Sequence, residues 1–498
     1  MKHIIRLLAL FMLAIMLLPT FVACTDQAGD DETTPVLGTS EESSSEEVTT
    51  QDNLPELDFG KEEIRFISRN SDWVRGEIAV EEQSGDLIND AIFNRNIAVE
   101  ERLNIKIKNY EITGDNYAVS NEIRTAVKSG TDDYDIIANS VYSTIMYTSE
   151  KIFHNLYDCE YLDLEQGYWS QGFNQAASIG NAQYMCTGSI ALTLYRYMFV
   201  TFFNKNMFEE SNVGNMYEVV ENGNWTLDRQ YEIASGFYRD INGNGSADLG
   251  DRFGFLTTNK AYIDAYWSSC KLPILTKDSE NYYVYSIDKD RMIVAVDKIL
   301  NLWYNCPGSY IVESVSDSAD QKAGASALAE GRAAMVTLRL VSVESDELKN
   351  MDDKYGIIPI PKLDEYQDRY YTFLHDQFTA FGIVSTVKED RLQMMGAVLE
   401  AMASESYKSV IPVYYDIALK YRYAKDEESG RMLDMIYASI YIDPGVLYTK
   451  VLSSVHQQLR EIIRSKNNAV VSTFKTLDKV VEKQVKTLND SLAAMQGG

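Results

Sequence analysis

The segment DINGNGSADLGD, residues 240–251, combines oxygen-bearing side chains with glycines at the spacing of a calcium-binding loop. In the EF-hand pattern, oxygen ligands recur through twelve positions, the sixth position is glycine, and the seventh contributes a backbone carbonyl. The segment follows this pattern, with aspartate in place of the usual glutamate at the last position. The predicted calcium ligands are Asp240, Asn242, Asn244, Ser246 through its carbonyl, Asp248 and Asp251.

The predicted calcium loop is expected to be structural. A helix over about 228–238 precedes it, but RFGFLTT (252–258) is typical of a strand, so the second helix of a calcium sensor is missing. Because Asp251 is one methylene shorter than glutamate, we expect weak affinity, roughly 10⁻⁵ to 10⁻³ M. The alternative is a glycine-rich turn with incidental acidic residues.

Residue patterns of the common enzymes are missing from the sequence. It contains no H-E-x-x-H, no G-x-S-x-G and no G-x-x-x-x-G-K-[ST] motif. The histidines and cysteines beyond the N-terminal segment have no metal-ligand spacing; they are His154, His375, His456, Cys159, Cys186, Cys270 and Cys306. The four cysteines could form disulfides or remain buried thiols. We predict a protein that is not an enzyme.

The N-terminus predicts export and a lipid anchor. Lys2 and Arg6 precede an apolar run at 7–18, which is short for a transmembrane span and typical of a signal peptide over 1–23. The sequence FVAC ends in Cys24 and resembles the attachment site of bacterial lipoproteins, with Phe21 where leucine is usual. An ordinary secretory signal with a chance cysteine is the alternative. We therefore expect the protein on the extracellular face of the cell membrane.

Residues 24–56 are predicted to be a disordered tether. Residues 25–56 contain ten acidic residues and no lysine or arginine. Such a segment buries too little apolar surface to offset its ordering entropy. No other apolar run approaches transmembrane length, so we expect contact with the membrane through the lipid alone.

Charge and length restrict what the remaining body can be. The chain has 498 residues and a formal net charge of −28, which argues against nucleic acid or anionic phospholipid as a partner. After the tether, about 440 residues remain, which is more than one hydrophobic core usually serves. We expect two lobes.

Alternating strands and helices should position the functional residues. Strands are predicted at 62–68, 105–109 and 133–140, with helices at 86–103 and up to about 127 between them. This βαβαβ order implies a mostly parallel sheet, in which ligands bind beyond the carboxyl ends of the strands. Strands at 355–361 and 378–385 and a helix from about 390 follow. The C-terminal helix is predicted from an apolar stripe formed by Val471, Phe474, Leu477, Val481, Val485, Leu488 and Leu492.

Six segments together resemble the bacterial extracellular solute-binding proteins of family 1, the carbohydrate receptors of ABC importers. They occur in the order of the family and are GDLINDAIFNRNIAVEERLNIKI (85–107), TDDYDIIA (131–138), FFNKNMFEE (202–210), NGNWTLDRQYEIA (222–234), EGRAAMVTL (330–338) and YGIIPIPKLDEYQDRYY (355–371). The resemblance covers essentially residues 57–498. Related proteins often carry an Asp- and Gly-rich stretch where the predicted calcium loop stands.

The resemblance implies an α/β fold of the two-lobed, type II periplasmic-binding-protein kind. Lobe one would comprise 57–192 and 355–408, and lobe two 193–354 and 409–498. It also implies a monomeric receptor that traps a carbohydrate between the lobes and delivers it to the permease subunits of an ABC transporter. Receptors of the same fold for a peptide or another small solute, and a secreted glycan-active enzyme, are the alternatives.

The ligand-binding residues are predicted from their position in this fold. Sugars need stacking aromatic rings together with polar side chains, and the chain has 33 tyrosines and 5 tryptophans. Trp225 and Trp303 lie in helical apolar patterns and are expected in the core, whereas Trp267 is expected to stack on the sugar. The predicted cleft residues are Ser68, Asn70, Trp73, Asn139, Ser140, Tyr142, Tyr197, Tyr266, Trp267, Arg339, His375 and Asp376.

Overall fold

The computed structural model describes residues 52–313, 316–420 and 427–496. The predicted signal peptide, Cys24 and the tether up to residue 51 lie outside this part of the chain. Within it, no helix is both long enough and apolar enough to cross a membrane.

Thirteen strands occur in the described residues. They are β1 Glu62–Arg69, β2 Ile105–Ile112, β3 Ile136–Ser140, β4 Phe199–Asn204, β5 Phe253–Thr258, β6 Leu275–Lys277, β7 Tyr283–Tyr285, β8 Ser309–Val312, β9 Ala333–Arg339, β10 Tyr355–Ile358, β11 Thr372–Phe373, β12 Thr379–Ile383 and β13 Ile440–Tyr441.

Eighteen α-helices accompany them in the described residues. They are α1 Leu87–Leu103, α2 Ala118–Ser129, α3 Val141–Thr144, α4 Gln171–Ala177, α5 Thr193–Arg196, α6 Lys205–Glu210, α7 Met216–Glu221, α8 Leu227–Ser235, α9 Tyr262–Ser269, α10 Lys289–Leu300, α11 Asp317–Ala329, α12 Asp346–Lys349, α13 Glu389–Glu405, α14 Ile411–Lys420, α15 Glu427–Ala438, α16 Pro444–Leu447, α17 Gln457–Arg464 and α18 Val470–Gln496.

The first sheet has the strand order β12-β3-β1-β2. Strand β1 pairs in parallel with β2 and β3, and β12 runs antiparallel to β3. In this register Ser68 lies beside Ala138, and Thr379 lies opposite Ser140. The carboxyl ends of β1 and β3 and the start of β12 therefore meet at one edge of the sheet. The predicted βαβαβ unit is confirmed.

The second sheet has the order β10-β4-β9-β5-β8 and corrects one predicted boundary. Strand β5 is parallel to β8 and β9, whereas β4 is antiparallel to β9 and β10. Lobe one was expected to resume at residue 355, yet β10 pairs with β4 of the second sheet. Pro359 and Pro361 follow β10 directly, so the chain returns to the first lobe only after this strand.

Local signals explain where several helices begin. Asp86 caps α1 by accepting hydrogen bonds from the backbone N–H groups of Ile88 and Asn89. Thr226 caps α8 through the N–H of Arg229, as its place before a helical pattern indicates. The buried face of α1 includes Ile88 and Ile92, whereas Leu87 is exposed.

The end of the predicted tether is part of the folded body. Asp52 is buried and forms an ion pair with Arg102 of α1, with Asp52 Oδ1 2.6 Å from Arg102 Nη2. Its Oδ1 also accepts a hydrogen bond from the N–H of Leu54. The prediction of disorder through residue 56 is therefore wrong for residues 52–56, because the buried carboxylate of Asp52 pairs with Arg102 and fixes a segment whose composition alone favours solvent.

The C-terminal region packs on both lobes. Helix α14 contacts α1 of the first lobe, and α18 contacts both β7 and the segment 145–150. The assignment of all of 409–498 to lobe two is thus too simple, since amphipathic helices do not reveal which lobe they cover. Along α18, Phe474, Val481 and Leu492 are buried as predicted, but Val471 is exposed.

The core contains the four cysteines as free, buried thiols, in agreement with the buried-thiol alternative. Burial raises the pKa of Cys159 and of Cys270 to about 12, so both thiols are protonated at neutral pH. Trp225 and Trp303 are also buried, which confirms their predicted place in the core.

Candidate functional site

Residues 193–197 and 375–379 are two segments that connect the lobes. They lie side by side where the strands of the first sheet end. The N–H of His375 donates to the carbonyl of Tyr197 at 3.1 Å, and the N–H of Thr379 donates to Oγ1 of Thr193 at 2.9 Å. Arg339, the last residue of β9, belongs to the second sheet and comes to the same place. Side chains from both lobes therefore converge at this point.

Arg69, Trp73, Tyr197, Arg339 and His375 form what we call the central cluster. The guanidinium carbon of Arg339 lies 4.7 Å from the ring centre of Trp73 and 5.2 Å from that of Tyr197. The rings of Trp73 and Tyr197 meet edge to face at 6.4 Å, and those of Tyr197 and His375 at 5.9 Å. Flat rings and guanidinium groups thus share one site, with Trp73 only half-buried.

Arg69 brings a buried positive charge to the central cluster. Its side chain follows the end of β1, the residue is 7% exposed, and its Nη2 donates to the carbonyl of Gln377. Burial lowers the pKa of the Arg69 guanidinium, against the attraction of Tyr197, Glu77 and Asp376. Burial likewise raises the pKa of Tyr197, and the charges of Arg69 and Arg339 oppose that rise.

Glu77 is a buried carboxylate next to the central cluster, and both of its oxygens are engaged. One accepts hydrogen bonds from the N–H and the hydroxyl of Thr193, at 2.8 and 2.9 Å. The other accepts from Oγ1 of Thr379 at 2.5 Å. Glu77 therefore links Thr193, in the segment 193–197, to Thr379 at the start of β12, and these contacts stabilise the central cluster.

The structure brings several of the predicted cleft residues to this place. Trp73, Tyr197, Arg339 and His375 are members of the central cluster, and Oδ1 of Asp376 lies 3.6 Å from Nδ1 of His375. Sequence reasoning missed Arg69 and Glu77. The position of Arg69 between the predicted residues Ser68 and Asn70, at the carboxyl end of a strand, was the signal that could have found it.

Other predicted cleft residues lie around the central cluster. Ser68 is buried at the end of β1, and Asn70 accepts a hydrogen bond from Nε of Arg75 at 2.9 Å. The N–H of Tyr142 donates to the carbonyl of Asp376 at 3.0 Å, and its ring lies 4.6 Å from the ammonium of Lys450. These three residues border the cluster.

Asn139 and Ser140 are fully buried at the end of β3. Nδ2 of Asn139 lies within hydrogen-bond distance of the hydroxyls of Ser120, Ser143 and Thr144. Oδ1 of Asn139 and Oγ of Ser140 have no hydrogen-bond partner among the described residues. This strand end therefore carries polar atoms that are not used within the fold.

Tyr266 and Trp267 lie in the core, contrary to the prediction that they line a cleft. The hydroxyl of Tyr266 is 3.0 Å from that of Thr337 and donates to Gln230 at 3.3 Å. Trp267 is 3% exposed, and its indole N–H donates to the carbonyl of Leu272. All eight residues of α9 are buried.

The predicted calcium loop folds around its own side chains. The two oxygens of Asp240 accept hydrogen bonds from the N–H groups of Gly243 and Gly245, both of which have positive φ. The amides of Asn242 and Asn244 donate to Asp248, at 3.0 and 2.6 Å.

Two further contacts involve Asp251, which is buried and accepts the N–H groups of Ile241 and Asp248. Three carboxylates and two amide oxygens suit calcium chemically. Among the described residues, however, no three His, Cys, Asp or Glu side chains are arranged to hold a metal ion. Calcium binding stays a prediction.

Comparisons with known proteins identify the fold. No family model matches the chain, and no curated protein sequence is significantly similar to it. Among solved structures, the chain is similar to an ABC substrate-binding protein from Listeria monocytogenes in complex with cycloalternan. The identity is 12%, the TM-score is 0.52, and the match covers 88% of this chain and 99% of that one.

Two further solved structures have the same architecture. A solute-binding protein from Thermotoga lettingae with bound α-D-tagatose is 14% identical, with a TM-score of 0.52 and coverage of 85% of this chain and 100% of that one. A sugar transporter protein from Rhizobium etli in an open conformation is also 14% identical, with a TM-score of 0.52 and coverage of 86% and 99%. The chain therefore has the two-lobed α/β fold of the sugar-binding proteins of ABC transporters.

Proposed function

We propose that the protein is a carbohydrate receptor for an oligosaccharide that delivers its ligand to the permease subunits of an ABC importer. The observation that carries this proposal is the central cluster, in which aromatic rings and polar groups from both lobes meet. Sugars present apolar C–H faces and polar rims, and such a combination of groups suits both. The ligands named for the similar structures, cycloalternan and tagatose, support the same class of ligand.

Trp73 is the aromatic side chain that we expect to stack on the sugar. It is half-buried, whereas Tyr197, Trp267 and Trp303 are buried, so its ring has a face that a ligand can cover. Losing a stacked tryptophan removes apolar contact of about 1–3 kcal/mol, or roughly ten- to a hundredfold in affinity.

A thermal-shift screen against a glycan panel, followed by titration calorimetry with the best ligand, tests the proposal. Trp73→Ala should weaken binding while the protein stays folded. Trp267→Ala is the matched control, because it should lower the melting temperature through a core cavity and change affinity little. Binding of peptides and of no glycan would favour another solute receptor, and consumption of the glycan would reveal an enzyme.

We also propose that Cys24 carries the lipid that holds the protein on the extracellular face of the membrane. The lipoprotein-like FVAC sequence and the acidic residues after it support this proposal. Cys24→Ala should release the protein into the medium or leave it as unprocessed precursor. Processed mutant protein that fractionates with membranes, as wild type does, would contradict the anchor.

A structural calcium ion in the loop 240–251 is a separate proposal, supported by the donor set described above. Calcium would bind Asp240, Asp248 and Asp251 with the amide oxygens of Asn242 and Asn244. An ion at a hundred times its dissociation constant stabilises the folded state by about 2.7 kcal/mol. Chelator should therefore lower the melting temperature of wild type and of the exposed control Asp352→Ala, but not that of Asp240→Ala. A wild-type melt that is the same with chelator and with millimolar calcium would exclude the site.

A further inference from the structure

We propose that the central cluster selects a sugar that carries a carboxylate, such as a uronic acid residue, and that Arg69 binds this carboxylate. This inference rests on the proposed function as a carbohydrate receptor and names the chemical class of the ligand.

The first reason is that the hydrogen-bonding capacity of Arg69 is largely unused. The residue is 7% exposed, and within the described residues its side chain makes one hydrogen bond, from Nη2 to the carbonyl of Gln377. Its buried Nε has no partner among the described residues. Buried guanidinium groups usually bind carboxylates or saturate their N–H groups, because an unpaired buried charge is costly.

The second reason is that the neighbouring carboxylates are committed elsewhere. Both oxygens of Glu77 accept hydrogen bonds from Thr193 and Thr379. Asp376 lies beside His375, at 3.6 Å. Glu77 and Asp376 act on Arg69 through space, but within the described residues neither forms an ion pair with it. The charge of Arg69 is thus stabilised at a distance, and no carboxylate of the described residues is in contact with it.

The third reason is the set of groups around this charge. Arg69 is level with Asn139 on the neighbouring strand, because Ser68 pairs with Ala138. Oδ1 of Asn139 and Oγ of Ser140 are buried and have no partner among the described residues. These atoms suit sugar hydroxyls, the ring of Trp73 suits an apolar sugar face, and a guanidinium suits a carboxylate through paired N–H···O bonds.

The net charge of the chain makes a free small anion a poor ligand. At −28, the average field of the protein repels anions. A carboxylate is therefore favoured only where a buried cation meets it directly and a sugar ring supplies further contacts. An acid on a sugar meets both conditions.

Titration calorimetry of the full chain with matched ligands tests the inference. The probes are oligosaccharides of galacturonate, glucuronate and mannuronate, each paired with its carboxyl-reduced, neutral counterpart. At least one acid should bind about ten- to a hundredfold more tightly than its counterpart, as a charge-assisted hydrogen bond to a buried group implies. Equal affinity within every pair, or tighter binding of the neutral forms, would overturn the inference.

The two proposals fail in different ways. If neutral members of the glycan panel bind and the acids do not, the inference is wrong and the carbohydrate receptor stands. If no glycan of either kind binds, the proposed function itself is wrong, and the inference is overturned with it.

Variants locate the effect at Arg69. Arg69→Gln should reduce the preference for the acid at least tenfold, and Arg69→Lys should retain part of it because the charge remains. Arg464→Gln is the matched control, since Arg464 is exposed and pairs with Glu461 on the surface of α17. A preference that Arg69→Gln leaves unchanged would overturn the assignment to Arg69. Should that variant fail to fold, the wild-type comparison of acid and neutral forms still decides the ligand class.

Discussion

Arg95 and Arg69 are both buried in the first lobe, and their surroundings differ. Arg95 is 1% exposed, and its guanidinium donates to carbonyls of Glu77 and Ile78, to Oδ1 of Asn96 and to Oγ of Ser406. Arg69 has a single carbonyl partner in the described residues. Both arginines interact with Glu77, Arg95 through a hydrogen bond to its carbonyl and Arg69 through the charge of its carboxylate.

This difference separates a structural role from a binding role. Burial lowers the pKa of Arg95 to about 10, yet every nitrogen of its guanidinium has a partner, so its cost is offset within the fold. Arg69 is nearly as buried without that compensation. An unsaturated buried guanidinium lowers the stability of the protein without ligand. Such a cost is expected at a binding site, where the ligand completes the hydrogen bonds.

The largest expected effect is on Arg95. Arg95→Met removes the donors for several buried oxygens and should lower the free energy of unfolding by about 3–5 kcal/mol. Urea unfolding followed by circular dichroism measures it. A loss below about 1 kcal/mol would show that Arg95 is as poorly compensated as Arg69, and the comparison would fail.

Glu400 is a buried carboxyl group whose two oxygens are both hydrogen-bonded, and it gives the next effect. Burial raises its pKa to about 7, although the hydrogen bonds from Tyr168 and Trp169 oppose the rise. The folded state therefore keeps a proton that the unfolded state loses from about pH 4.5, and stability falls as the pH rises toward 7. The loss is on the order of 3 kcal/mol.

Glu400→Gln, which resembles the protonated acid, should flatten this dependence. Unfolding at pH 5 and pH 7.5 measures the slope in both proteins. Asp443, whose pKa burial raises to about 6, should leave a smaller slope of the same sign in the variant. A variant with the full wild-type slope would mean that Glu400 is ionised in the folded protein.

The smallest expected effect on stability is that of Arg69→Met. Replacing an unsaturated buried charge by an apolar side chain of similar length should leave the free energy of unfolding unchanged or raise it by up to about 2 kcal/mol. The same urea experiment, without ligand, compares it with Arg95→Met. A loss as large as that of Arg95→Met would show that Arg69 is structural, and the contrast between the two arginines would disappear.

The sequence was informative where local patterns decide the structure. Period-two and helical spacing predicted β1 and α1 to within one residue, because each element buries one face and Asp86 marks the start of the helix, whereas β2 runs three residues beyond its predicted end. The resemblance supplied the fold class, which the solved structures confirm at the level of architecture.

The site was predictable only in part, because burial is decided by distant segments. In the sequence, Trp73 and Trp267 could not be told apart as cleft or core residues. In the structure, α17, about 190 residues further along the chain, packs on α9, the helix that carries Trp267. Strand β10 was predicted as a strand, yet its partner β4 lies some 150 residues earlier and sets its lobe. Arg69 and Arg95 look alike in sequence, since nothing local reveals how many carbonyls each will meet.

The ion pair between Asp52 and Arg102 has a practical consequence for producing the protein. A recombinant version that begins at residue 57, where composition places the end of the acidic segment, would discard the carboxylate and leave the guanidinium of Arg102 facing solvent and the end of α13. Expression of the soluble body should therefore begin ahead of Asp52, and proteolytic trimming should slow at this residue, where the chain becomes tied to α1.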